Sequence, residues 1–251
     1  MSEVYKAPEA QLHDEVKSGE YGSVDAALSG HYQFSPMETI NEAWSLVGGF
    51  KGVYWLAFLA YLIVAMSLGA LTGFFVPAAD PANPLAVGPL VGNIASQLLS
   101  MIITLPLGAG LFIIALKRTV RVKPEVGEMF NHFDKILPLF ITSLVMYIFI
   151  IIGLVLFVLP VIYLAIAFSF ALPLVFEKGM SPMEALSTSR KAITHRWFAF
   201  VGLLILLMVI LFASALVFGI GLIWTVPLMG LSFAIVYRNM FGVESSTLTE
   251  G

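Results

Sequence analysis

Residues Glu177–Trp197, EKGMSPMEALSTSRKAITHRW, form a polar island between two runs of 41 residues, 136–176 and 197–237, that carry no Asp, Glu, Lys or Arg. A helix needs about 20 apolar residues to cross the hydrocarbon core of a bilayer, so each run is long enough for two crossings. Each therefore reads as a helical hairpin, turning near Leu159-Pro160 in the first and at Gly219-Ile220-Gly221 in the second. Inside the island, Ser181-Pro182-Met183-Glu184 is a helix start. Ser181 stands as N-cap, Pro182 takes the first helical position where its missing N–H costs nothing, and Glu184 is placed to close a capping box. Met183, Leu186, Ile193 and Trp197 then recur at helical spacing, with Glu184, Thr188, Lys191 and His195 on the other side. The island is thus predicted to be an amphipathic helix on the membrane surface, presenting Lys178, Arg190, Lys191 and Arg196 to anionic lipid headgroups or to an acidic partner.

Upstream, Ser35-Pro36-Met37-Glu38 repeats the same four residues, again as cap (Ser35), proline and acid (Glu38). Met37, Ile40, Trp44 and Val47 make its apolar stripe, and uncharged Gly52–Val76 follows as span one, with Gly69-x-x-x-Gly73 offering a close-packing face to another helix. Pro77–Pro89 reads as a loop around Asp80, and span two runs from about Leu90 to Leu116. Asn93, Gln97, Ser100, Thr104 and Gly108 fall on one face of it, a stripe suited either to interhelical packing or to lining a pore. Lys123-Pro124-Glu125 opens a third amphipathic element, with Met129, Phe130 and Phe133 apolar and Glu125, Glu128, His132 and Lys135 polar.

The expected fold is an all-α polytopic membrane protein. Six transmembrane helices form three hairpins, each preceded by an amphipathic surface helix, in a pseudo-threefold internal repeat. The repeat units are 35–121, 122–179 and 180–241; residues 1–34 make an acidic mobile tail and 242–251 a short polar one. All thirteen Lys and Arg residues fall on one side of such a chain. By the positive-inside rule that side, with both termini, is cytoplasmic.

Mean hydropathy of +0.94 and 12% charged residues place the chain in a bilayer. Cysteine is absent, which removes disulfides and thiolate chemistry. No Asp, Glu, Lys, Arg or His falls inside a predicted span, so the usual relay or counter-ion of coupled carriers is missing. The four histidines lack metal-ligand spacing, Gly108-x-Gly110 is not followed by the residues of a phosphate loop, and no nucleophile elbow is present. Neither an enzyme, a cofactor or metal site, nor nucleic-acid binding is expected.

Residues Gly153–Phe200 contain Leu159-Pro160, Ala171-Leu172-Pro173, Glu177 after the span, and Pro182, Ala185 and Ser189 in a P-x-x-A-x-x-x-S spacing. In these the chain resembles the YciC-like uncharacterised bacterial inner-membrane proteins and the membrane domain attached to some glycerophosphodiester phosphodiesterases. It departs from them at Val161, where they usually carry glycine. The resemblance implies a six-helix domain in the bacterial inner membrane and, for the YciC-like proteins, no established activity; the phosphodiesterase activity is not carried over. Three functions remain open: a non-enzymatic scaffold or lipid-associated module, homo-oligomeric through its small-residue faces; a channel or facilitator using the stripe on span two; and a membrane anchor that regulates a separate enzyme.

Overall fold

The computed structural model describes residues 21–76, 87–156, 158–216 and 218–249. These are all-α, and six helical segments among them are long and apolar enough to cross a membrane. Span one is α3, and spans two and three are α4 and α5. Here α1 is Val24–Ser29, α2 is Pro36–Val47, α3 is Lys51–Phe75, α4 is Val87–Thr119 and α5 is Ile136–Leu156. Span four is broken into α6, Val158–Ala167, and α7, Ala171–Lys178. After surface helix α8, Pro182–His195, spans five and six are α9, Trp197–Leu216, and α10, Leu222–Phe241; the short α11, Ser245–Thr249, ends the described chain.

Proline places the helix starts. Pro36 and Pro182 are the first residues of α2 and α8, while Pro89, Pro138, Pro160 and Pro173 are each the third residue of a helix. In the first turn the proline N–H would have had no partner, so nothing is lost there. The loop predicted to run to Pro89 therefore ends by Val87, and Leu159-Pro160, predicted as a turn, lies within the helix that starts at Val158. Pro106 and Pro227 lie inside helices. Pro227 cannot donate to the Ile223 carbonyl one turn back, and the Trp55 indole N–H of α3 donates to that carbonyl instead at 2.9 Å.

Several expectations are corrected. The third amphipathic element is not a helix but two 3-10 turns, Val126–Phe130 and Phe133–Lys135. Its burial also departs from the expected pattern: Met129 is buried as expected, but so are Glu128 and His132, whereas Phe130 and Phe133 are exposed. In α8 the buried side is built on small residues, Ala185, Thr188, Ser189 and Ala192, together with Leu186 and Ile193, and Met183 is exposed. In α2 the buried residues are Thr39, Ile40, Ala43 and Val47, leaving Met37 and Trp44 outside. Close helix approach selects small side chains, so the narrow face wins over the most apolar one.

Both capping boxes fail to close: neither Ser35 nor Ser181 caps a backbone N–H through its hydroxyl, and Ser181 Oγ donates to Glu184 at 3.4 Å. The acidic tail ends earlier than expected. Residues 1–20 lie outside the described residues, but 21–34 are ordered, with α1 capped by Ser23 and with Ala27 and Tyr32 buried. At the other end, the segment read as a polar tail is docked, with Val243 and Thr247 buried. Asp80, assigned to the loop between spans one and two, lies outside the described residues.

The surface elements pack mainly on hairpins other than the ones that follow them. α2 packs on α10 and α9; the 126–130 turn packs on α4 and α3; α8 packs on α7, α5 and α6. Each element thus covers the hairpin that precedes it, cyclically, and the sequence units 35–121, 122–179 and 180–241 are linked rather than separate bodies. The core lies at the end of the bundle where these elements sit, here called the basic end. The outer halves of α3 and α4, with Ile63, Met66, Leu71, Phe74, Val87 and Val91 exposed, project beyond it.

Candidate functional site

At the basic end, each hairpin's second span finishes on a side chain that ties elements together. Lys117 of α4 pairs with Glu128 at 2.8 Å, their side chains only 2% and 7% exposed. Arg238 of α10 is buried, donates to the Thr119 carbonyl at 2.7 Å, pairs with Glu42 of α2 at 2.8 Å and lies 4.5 Å from the Tyr21 ring. Glu177 of α7 accepts from the Tyr237 hydroxyl at 2.8 Å and from the Glu244 backbone N–H at 2.6 Å, which docks the C-terminal segment. Lys178 beside it pairs with Glu244 at 2.9 Å and Glu177 at 3.5 Å. These are structural locks: the charges at the membrane boundary are neutralised within the protein. Lys178, expected to bind headgroups, is therefore committed elsewhere. Arg190, Lys191 and Arg196 are exposed and make no ion pair with a described residue.

A signal for these locks exists in the sequence. Pro106-Leu107 and Pro227-Leu228 are each followed by phenylalanine at the sixth residue after the proline, isoleucine at the eighth and a base at the eleventh: Phe112, Ile114 and Lys117; Phe233, Ile235 and Arg238. The two prolines place matched residues at matched depths.

Those two phenylalanines meet in a cavity of about 460 Å³ between the spans. Span two contributes Gln97, Thr104, Gly108 and Phe112; span one contributes Tyr61; span three contributes Leu139 and Tyr147; span four contributes Ser169, Leu172, Pro173 and Phe176. Gly108, in the stripe read as either lining a pore or packing, has no atom within 4 Å of where a Cβ would be. The close-packing glycine is Gly110, whose Cβ would fall inside the Met129 backbone. Asn93 lies outside the cavity and donates to the Pro89 carbonyl at 2.9 Å, and Thr104 donates to the Ser100 carbonyl at 2.9 Å, binding the upper stripe to its own helix. Gly69 and Gly73 are exposed with nothing near them, so their face packs on no described helix.

The sequence reading missed Tyr61, Tyr147 and Ser169. The hint for Ser169 is Pro173 four residues on, which has no N–H to give the Ser169 carbonyl. The hydroxyls of Tyr61 and Tyr147 and the Gln97 amide have no hydrogen-bond partner among the described residues. No Asp, Glu, Lys, Arg or His lines the space, and no group of three metal-ligating side chains occurs among the described residues. The arrangement provides an apolar, aromatic-walled volume with several neutral hydrogen-bonding groups on its wall. A second hollow, of about 530 Å³ at the basic end, is lined by His31, Tyr32, Ser35, Glu38 and Arg196. There the Tyr32 hydroxyl donates to the Ala192 carbonyl at 2.8 Å, and burial pushes its pKa up to about 12 against the opposing charge of Arg196. No protein-family model, no curated protein and no solved structure matches the chain.

Proposed function

We propose that this integral membrane protein is non-enzymatic and lipid-associated, and that the cavity between its spans holds an uncharged amphipathic molecule, a lipid or a lipid-like compound. The observation that carries the reading is the convergence of Tyr61, Gln97 and Tyr147 on one apolar volume with their polar groups unpaired among the described residues. At membrane depth there is no bulk water to satisfy such groups, and a bound molecule with hydroxyl or ester oxygens satisfies them while its apolar body fills the aromatic walls. With no Asp, Glu, Lys, Arg or His in its lining, the cavity offers no counter-charge to a charged ligand.

In this reading the chain sits in a bacterial cytoplasmic membrane with its basic end and both termini inside. The pseudo-threefold repeat is supported by the predominantly cyclic packing of surface elements on preceding hairpins. Arg190, Lys191 and Arg196 face anionic headgroups. The open Gly69–Gly73 face offers a second copy a place to pack.

The test is mass spectrometry of the protein released from detergent micelles, comparing wild type with Gly108→Leu, which fills the cavity. A defined neutral lipid-sized adduct on wild type, depleted in the variant, is expected. Equal occupancy, or no adduct on either, overturns the reading. A facilitator is the second reading, favoured by the presence of Gln97, Thr104 and Gly108 in the cavity wall. It requires solute flux in proteoliposomes that falls in Gln97→Leu and Thr104→Leu.

A further inference from the structure

Span four is interrupted at Phe168-Ser169-Phe170, between α6 and α7. Pro173 accounts for the break, since its ring and missing N–H prevent the helix from running through Ser169. A broken helix inside a membrane protein leaves peptide groups that need partners from a neighbour. Ser189 of α8 is that neighbour: its hydroxyl donates to the Ala167 carbonyl at 2.7 Å and accepts from the Phe170 N–H at 3.2 Å, one side chain bonded to both edges of the break. Ser189 is fully buried. The segment it holds is also the cavity wall, because Ser169, Leu172 and Pro173 line the space and the Phe170 ring packs against Phe233, another lining residue, with centroids 6.4 Å apart.

We propose that Ser189 is the positioning residue of the membrane cavity: by bridging the break in span four it fixes the cavity's wall, and it makes surface helix α8 the element through which the basic end controls that wall. The exposed side of α8 carries Arg190 and Lys191, so a charged surface and a buried clamp share one rigid helix. The motif serine thereby acquires a role that spacing alone does not disclose. The functional meaning rests on the cavity being a binding site, but the clamp itself does not.

The test uses the absence of cysteine from the chain. Gly108→Cys places a single thiol in the cavity, its Cβ having no neighbour within 4 Å, and its rate of modification by N-ethylmaleimide in detergent micelles reports the state of the wall. Adding Ser189→Ala is expected to change that rate about three- to tenfold, the scale of one or two lost hydrogen bonds. Ser187→Ala, whose hydroxyl serves only the Glu184 carbonyl of its own helix, should leave it unchanged. Pro173→Ala restores an N–H for the Ser169 carbonyl, and in that background Ser189→Ala should have little further effect. An unchanged rate in Ser189→Ala, or the same factor in the Pro173→Ala background, overturns the clamp. Should Ser189→Ala alone not fold, recovery of the folded protein in the Pro173→Ala background supports the clamp, and failure to fold there as well overturns it. A lipid adduct lost from Gly108→Leu with no Ser189 effect would refute the clamp and leave the binding site standing; the converse would do the opposite.

Discussion

Gly108 and Gly110, two residues apart on α4, should respond to alanine in opposite senses. Both substitutions relieve the entropic handicap of glycine in a helix interior, about 0.5–1 kcal/mol. At Gly108 nothing lies within 4 Å of the new methyl, so that gain stands alone. At Gly110 the methyl falls inside the backbone of Met129, which cannot turn away as a side chain would. The 126–130 turn must shift, at a cost of about 1–3 kcal/mol for overpacking. Met129 is fully buried, and Glu128 beside it holds Lys117 at 2.8 Å with both side chains nearly inaccessible. Disturbing such a pair adds more, since a buried charge deprived of its partner costs about 3–5 kcal/mol. The two variants should differ by about 2–4 kcal/mol, which at about 2–4 °C per kcal/mol for a chain of this size separates their melting points by about 5–15 °C. Tryptophan fluorescence during heating in detergent measures this. Melting points that move together, or a Gly108→Ala more harmful than Gly110→Ala, would refute the reasoning.

Three further outcomes follow from the same contacts. Arg238→Ala should cost about 3–5 kcal/mol because it strips the Thr119 carbonyl and leaves a buried gap, whereas Glu42→Gln, at a side chain 37% exposed, should cost under about 1 kcal/mol; equal costs in thermal unfolding would count against that ranking. Trp55→Phe should destabilise by about 1–3 kcal/mol through the abandoned Ile223 carbonyl, and Pro227→Ala, which returns an N–H to that carbonyl, should shrink the penalty; additive losses in the double variant would show the indole bond to be incidental. Tyr32 is a group whose folded pKa, about 12, lies above its ordinary value of 10.0, so its contribution is intact below pH 10 and is lost as pH rises towards 12. The melting point should fall through that window in wild type and fall less in Tyr32→Phe.

Much of the architecture was legible in the sequence because a bilayer leaves the backbone few choices. Two 41-residue uncharged runs about a basic island admit few arrangements other than hairpins, and prolines followed by acids at 36 and 182 mark helix starts whatever surrounds them. The stripe on span two was legible as a polar face, yet its neighbours were not. Periodicity shows which residues share a side of one helix, never which helix is opposite. Hence Gly110, two residues past the stripe's Gly108, became the close-packing glycine, Gly69 and Gly73 found no helix partner among the described residues, and Lys178 turned inward to Glu244.

By itself the sequence determined the number of spans, the clustering of positive charge at one end and the positions where helices begin, since these depend on solvent, length and local backbone chemistry. Tertiary structure decided which small residues became contacts and which became space. It seated each surface element on the hairpin before it, and it brought Ser189 to a break 19 residues away from Phe170 in the chain. The reason is physical: hydrophobicity sorts residues between lipid and protein, but within an apolar interior only shape and the pairing of polar groups distinguish one neighbour from another.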